Sequence, residues 1–178
     1  MHRDQTLACG CGQVRLRVEG PPIASVECLC TSCRTAAHHL EALPGAPRIV
    51  DDKGATPFVM QRKDRVAILD GEDRLSAFRL QPEAGTRRVV ATCCNTPMFL
   101  EFLGGHWLSL YAGLWPDALR PPLEMRTMAG DFPDPAALPD DVPNLKQHSL
   151  RFYARLLGAW ARMGFRNPKI EVKGELHV

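Results

Sequence analysis

The chain has 178 residues, 45% hydrophobic, 24% charged and 7% aromatic, with a formal charge of +2 at neutral pH. That length fits one domain with a core of its own, no apolar run approaches the roughly 18 residues of a membrane span, and the near balance of charge argues against a globally basic nucleic-acid binder. The N-terminal stretch MHRDQT carries no apolar signal segment and the seven cysteines are odd in number, so the expectation is a soluble, cytoplasmic protein with reduced thiols.

Residues 8–12, ACGCG, set Cys9 and Cys11 two apart between glycines. From Gln13 to Glu19, Val14, Leu16 and Val18 alternate with Arg15 and Arg17, the pattern of a half-buried strand. Pro21 and Pro22 break it, and Ile23 to Cys28 reads as a second strand. Three more cysteines follow at once. Cys28-x-Cys30 has strand spacing, so both sulfurs leave one face, and Cys30-x-x-Cys33 at a turn lets two thiolates converge on a soft cation. Zinc, with Zn–S bonds of about 2.3 Å, is the commonest guest of such a set. Three thiolates leave a tetrahedral ion one ligand short: an open position suits catalysis, whereas a fourth protein ligand makes the site structural. From Thr31 the sequence TSCRTAAHHLEAL predicts a short helix, capped by Thr31 or Ser32 and ended by Pro44-Gly45. His38 and His39 on it are candidates for the fourth ligand, set against the commoner outcome of exposed helix histidines.

Strand-like runs then recur about every ten residues, the spacing of an all-β sandwich or barrel rather than of βαβ units. They are Pro57 to Gln61, Arg65 to Leu69, Leu75 to Leu80, Thr86 to Thr92, Met98 to Phe102 and Trp107 to Ala112, separated by Asp70-Gly71, Pro82 to Gly85 and Gly104-Gly105. The expected fold is mainly β, with eight strands and one short helix in a unit over residues 1–115. Residues 116–146 hold seven of the fifteen prolines and read as a wrapping loop. Residues 147–178 carry a basic amphipathic helix. Its apolar stripe is Leu150, Tyr153, Leu156, Leu157, Trp160 and Gly164, and Arg151, Arg155, Arg162 and Arg166 lie opposite. Packing onto the β unit is the expected fate of that stripe; the arginine face could instead take a macromolecular partner or a second copy.

The last two cysteines, Cys93 and Cys94, are adjacent, so no cysteine stands alone. Such complete clustering predicts two metal sites per chain rather than inert core thiols; two zinc ions and seven thiolates would bring the formal charge to about −1. Neighbouring residues in a strand face opposite ways, so Cys93 and Cys94 share one ion only if the backbone turns between them, as the following Asn-Thr-Pro suggests. Two assignments stay open. Either both complete the Cys9 and Cys11 site, or Cys93 closes the Cys28 site and makes the protein a structural or binding module.

The segments ACGCGQVRLRV (8–18), CLCTSCR (28–34) and CCNTPMF (93–99) together resemble the glutathione-dependent formaldehyde-activating enzyme family, which includes centromere protein V. The likeness spans residues 8–112 and is strongest to bacterial proteins of unknown function with a Cys-Cys-Asn-Thr-Pro run and a basic C-terminal helix. The resemblance implies a zinc-holding β-tent of two antiparallel sheets. It implies a structural zinc on Cys9, Cys11 and Cys94 and a reactive zinc on Cys28, Cys30 and Cys33. By the same likeness the activity is that of a carbon–sulfur lyase joining glutathione, or another small thiol, to formaldehyde or another aldehyde. Two departures stand out: Ala91 occupies the place of the family's late cysteine, with Cys93 present instead, and Asn95 replaces a glycine, a substitution asparagine's tolerance of positive φ permits. Arg34, beside Cys33, is the candidate partner for a glutathione carboxylate. The competing function is a non-enzymatic zinc module that binds a partner through its C-terminal helix. A platform for single-stranded nucleic acid is disfavoured by the few aromatic residues.

Overall fold

The computed structural model describes residues 4–178, so the first three residues of MHRDQT lie outside it. It is mainly β, with eleven strands in two sheets and two helices. Strands β1 (Gln5–Ala8), β2 (Arg15–Val18), β3 (Ala24–Cys28), β4 (Thr56–Arg62), β5 (Val66–Asp70), β6 (Leu75–Phe78), β7 (Thr86–Ala91), β8 (Thr96–Phe102), β9 (Trp107–Tyr111), β10 (Met125–Thr127) and β11 (Gly174–Leu176) are joined by helices α1 (Thr31–Glu41) and α2 (Leu150–Arg162). A three-stranded sheet has the order β1-β2-β5, and an eight-stranded sheet the order β10-β3-β4-β9-β8-β7-β6-β11.

The period-2 pattern places the small sheet on the large one. In β2, Leu16 and Val18 are buried while Arg15 and Arg17 face water. Leu7 and these residues join Val59, Val89, Phe99 and Leu110 of the large sheet in one continuous core. Strand β8 lies between β7 and β9 and is covered on both faces, which is why TPMFLEF reads as an almost unbroken apolar run.

All eight strands expected from the sequence form. The three additional ones are short, and two lie beyond residue 115, where they change the topology. β10 runs parallel to β3, and β11 parallel to β6, so the large sheet is not wholly antiparallel. The 116–146 stretch wraps along β3 because buried Arg126 fastens it there: its Nε donates to Glu27 at 2.7 Å and its NH1 to Asp141 at 2.7 Å. Helix α2 then crosses the face of the large sheet. Its buried residues are Phe152, Leu156 and Ala159, whereas Leu150 is 89% exposed and Tyr153 and Leu157 also face water. The helix is thus rotated from the expected stripe, and Phe152, absent from that stripe, is its main anchor. Arg155 makes a two-pronged ion pair with Glu124, and His106 Nε2 donates to the Leu156 carbonyl at 2.9 Å. Among the described residues no helix is long and apolar enough to cross a membrane.

Candidate metal centres

The topology gathers the seven thiols into two clusters. Cys9 and Cys11 sit in the turn from β1 to β2, and Cys93 and Cys94 in the turn from β7 to β8. The backbone does turn there: Cys94 N–H donates to the Ala91 carbonyl, and Asn95 closes the turn at φ 54°, its side chain donating to the Pro44 carbonyl at 3.0 Å. Cys93 therefore stands 3.8 Å from Cys9 and 3.4 Å from Cys11. The four sulfurs lie within 4.8 Å of one another, which places Cys93 in this cluster and not with Cys28.

The donor set fits a tetrahedral thiolate-bound ion. Zn–S bonds of about 2.3 Å at tetrahedral angles require sulfurs about 3.8 Å apart. Cys9 to Cys11 is 3.6 Å and Cys93 to Cys94 is 4.0 Å. Val14 N–H donates to the Cys9 sulfur and fixes its orientation. Burial pushes Cys93 up to about 12, with its neighbours Cys11 and Cys9 adding to the rise. Burial also opposes charge on Cys94, but the Thr96 hydroxyl and Cys11 outweigh it and bring that thiol down to about 6. A ready thiolate at Cys94 beside a protonated Cys93 is a pair whose remaining proton leaves when a metal enters.

Cys28, Cys30 and Cys33 form the second cluster, with their ligand atoms again within 4.8 Å of one another. Cys28 ends β3, and Cys33 lies in the first turn of α1. Cys30 itself, not Thr31 or Ser32, caps that helix: its sulfur accepts from Cys33 N–H at 3.3 Å. Hydrogen bonds from Cys28 and then Cys33 hold the Cys30 thiol far down, to about 2, and Arg88 contributes. Those same bonds leave their donors protonated: Cys28 is pushed up to about 11, chiefly by its bond to Cys30, and Cys33 also rises.

Among the described residues no histidine, carboxylate or fourth cysteine completes this cluster. His38 and His39 point elsewhere, the His39 ring packing 5.9 Å from that of Phe78. Arg34 does not face the thiols' open side either. Its NH2 donates to the Asp131 carbonyl at 2.9 Å and its guanidinium lies 6.0 Å from the Phe132 ring. What the three thiols do face is a cleft of about 460 Å³ between the large sheet and α2. Its lining is mostly apolar, with Phe58, Leu100, Trp107, Phe152 and Leu156 prominent, and it includes Arg88 and His148. Burial pushes the His148 pKa down, opposed by the charge of Cys30, and its ring stacks 4.5 Å from Phe152.

The sequence reading passed over Arg88 and His148. A signal for the arginine was present: Arg87 and Arg88 are adjacent in a strand, so one of them has to face inward. His148 lay at the start of a helix expected to pack on the β unit through other residues, with nothing to aim it at the thiols.

A family model for DUF6151, a family of unknown function, matches residues 1–110, more than half of the chain. The chain belongs to the DUF6151 family. The matched segment contains all seven cysteines and Arg88, while His148 and Phe152 lie beyond it. No curated protein matches this DUF6151 member. A solved structure of a Rhodobacter sphaeroides protein from a structural genomics programme is similar over 64% of this chain and 89% of its own length, at 13% identity and a TM-score of 0.45.

Proposed function

We propose that this DUF6151 protein is a zinc-dependent enzyme of carbon–sulfur bond chemistry that joins a small thiol to an aldehyde. In this reading Cys9, Cys11, Cys93 and Cys94 hold a structural zinc, and Cys28, Cys30 and Cys33 hold a reactive one. The observation that carries the reading is the asymmetry of the clusters: four thiols close the first, whereas the second has three and faces a cleft large enough for a ligand. The cysteine pattern's resemblance to the glutathione-dependent formaldehyde-activating family supports it, and would give Cys28, Cys30 and Cys33 the reactive role. Free thiols in this number suit a reducing compartment such as the cytoplasm.

Zinc would supply a Lewis-acid position at which a thiol is held as its thiolate. The residues do the rest. Cys28, Cys30 and Cys33 would hold the ion, the apolar wall beside them would exclude water, and His148, whose pKa burial pushes down, could accept the thiol proton. The thiolate sulfur attacks the aldehyde carbon, a C–S bond forms as the C=O π bond breaks, and the carbonyl oxygen takes up the proton.

A second reading, a non-enzymatic module that binds a macromolecular partner through α2, is favoured by one observation: Leu150, Tyr153 and Leu157 are exposed on that helix. The experiment that separates the two measures exchange between formaldehyde and its glutathione adduct by NMR, with and without zinc-loaded protein. Acceleration that disappears in Cys30→Ser supports the enzyme; no acceleration with glutathione or small apolar thiols sinks it.

A further inference from the structure

Three lysine or arginine side chains are buried among the described residues: Lys63, Arg88 and Arg126. Two have carboxylate partners, Lys63 on Glu101 at 2.5 Å and Arg126 on Glu27 and Asp141. Arg88 is 1% exposed and has none. Its NH1 donates to the Thr86 hydroxyl at 3.3 Å, and its NH2 to the Ser32 hydroxyl at 2.8 Å and the Ser32 carbonyl at 3.3 Å. Its Nε is buried with no acceptor at all. The Cys30 thiol feels the charge of Arg88 but accepts no hydrogen bond from it, and a buried guanidinium whose hydrogen bonds all go to neutral groups is costly; such a site is usually completed by an anion.

The rest of the cleft narrows what that anion is. No aspartate or glutamate lines it, and Arg88 is its sole arginine or lysine. Trp107 Nε1 in the same lining is a second buried donor without an acceptor. A centre of three thiolates and one divalent ion would carry a single negative charge and balance Arg88 at longer range. It would not supply oxygen acceptors for these N–H groups, nor fill an apolar cleft of about 460 Å³. A ligand matching the lining has a hydrocarbon body and one anionic, oxygen-rich end. Glutathione matches poorly: it brings two carboxylates to one guanidinium, and an ammonium for which the lining has no acid.

We propose that the cleft binds a small apolar carboxylate, its anionic end paired with Arg88 and its body packed among Phe58, Leu100, Trp107 and Phe152. The inference rests on the reading of the Cys28 cluster as reactive, and names the class of substrate presented to it: a hydrocarbon-bodied monoanion rather than a peptide thiol.

The test uses the full-length zinc-loaded protein and two probes of equal shape, 3-phenylpropanoate and 3-phenylpropanamide, titrated by calorimetry. A charge-assisted pair predicts that the acid binds roughly tenfold tighter or more. In Arg88→Gln that preference should fall below about twofold while amide binding persists, and Phe152→Ala should weaken both probes. Equal binding of acid and amide by the wild type overturns the proposal, as does no binding of either at millimolar concentration or a preference retained in Arg88→Gln. The wild-type comparison alone decides the matter if Arg88→Gln does not fold. In the cobalt-loaded protein, thiolate-to-cobalt absorption that no added thiol perturbs defeats the thiol chemistry while leaving the acid preference intact; a thiol-induced change without acid preference defeats only the carboxylate.

Discussion

The two clusters should differ in how much fold they hold, and the difference can be worked from sequence separation. Cys11 and Cys93 are 82 residues apart, so an ion between them cross-links a long loop of the unfolded chain. The loop-closure relation gives about 4.5 kcal/mol for that link and about 2 kcal/mol for one spanning the six residues from Cys28 to Cys33. Losing the first ion should therefore cost about 2 kcal/mol more than losing the second. For a chain of this size that is roughly 5–8 °C in melting temperature. The substitutions are chosen to change little else. Cys11 is exposed, and serine in place of Cys30 can still cap α1. Zinc-loaded Cys11→Ser should melt well below zinc-loaded Cys30→Ser, with metal analysis showing one ion left in each. In excess chelator both should come within about 2 °C of the metal-free wild type, since neither link then exists. Equal drops in the zinc-loaded variants, each with one ion retained, would refute the division into a structural and a reactive centre.

Wild-type protein should carry close to two zinc ions per chain, and Cys93→Ala should lose metal from the Cys9 cluster while Cys30→Ser loses it from the other; an ion count unchanged by Cys93→Ala would place that residue outside both. Glu101→Gln should destabilise by about 3–5 kcal/mol in chemical denaturation, because it strips the carboxylate from buried Lys63 at 2.5 Å and from Arg87 at 2.6 Å. Burial alone would raise the Glu124 pKa, but Arg155 and the Ser25 N–H hold it below its ordinary 4.5. A depressed carboxylate stabilises above that value and loses its contribution as pH falls through the folded one. Glu124→Gln should therefore cost under about 1 kcal/mol at pH 7, given the pair's exposure, and nothing once the wild-type carboxyl is protonated; a penalty independent of pH would show that Glu124 acts by packing.

The eight central strands were legible because alternation and turn residues agreed, as in Val14, Leu16 and Val18 before Pro21-Pro22. The pairing of the cysteines was legible too, but not which cluster takes Cys93. That depended on a turn whose course is set by Asn95 and by Pro44 fifty-one residues away. Strands β10 and β11 were hidden, being three residues each and held by long-range partners, Arg126 to Glu27 and Arg79 to Glu175. The facing of α2 was misread for a different reason: its apolar arc is wider than the face the sheet covers, so periodicity cannot say whether Leu150 or Phe152 meets the sheet. Arg34 seemed the natural anion partner because it follows Cys33 in sequence, whereas the fold brings Arg88 to the cleft from a strand more than fifty residues away.

The site is composite, and its halves do different work. The family-matched segment supplies the three thiols, Arg88 and the sheet floor with Phe58, Leu100 and Trp107. On its own that floor would leave an open thiolate centre and an arginine facing bulk water, where a guanidinium pairs weakly with any anion. The chain beyond residue 110 adds Thr127 and Met128 at the edge of the sheet, and His148, Phe152 and Leu156 as a roof. That roof is held by Arg155 on Glu124, by His106 on the Leu156 carbonyl, and by Trp160 stacked 5.6 Å from the His106 ring. By displacing water it lowers the local dielectric, so that the charge of Arg88 and the polarity of the centre act at greater strength on whatever the cleft admits. On the proposed reading the thiol chemistry would belong to the sheet, while the helix laid across it would set the size and apolar character of the ligand.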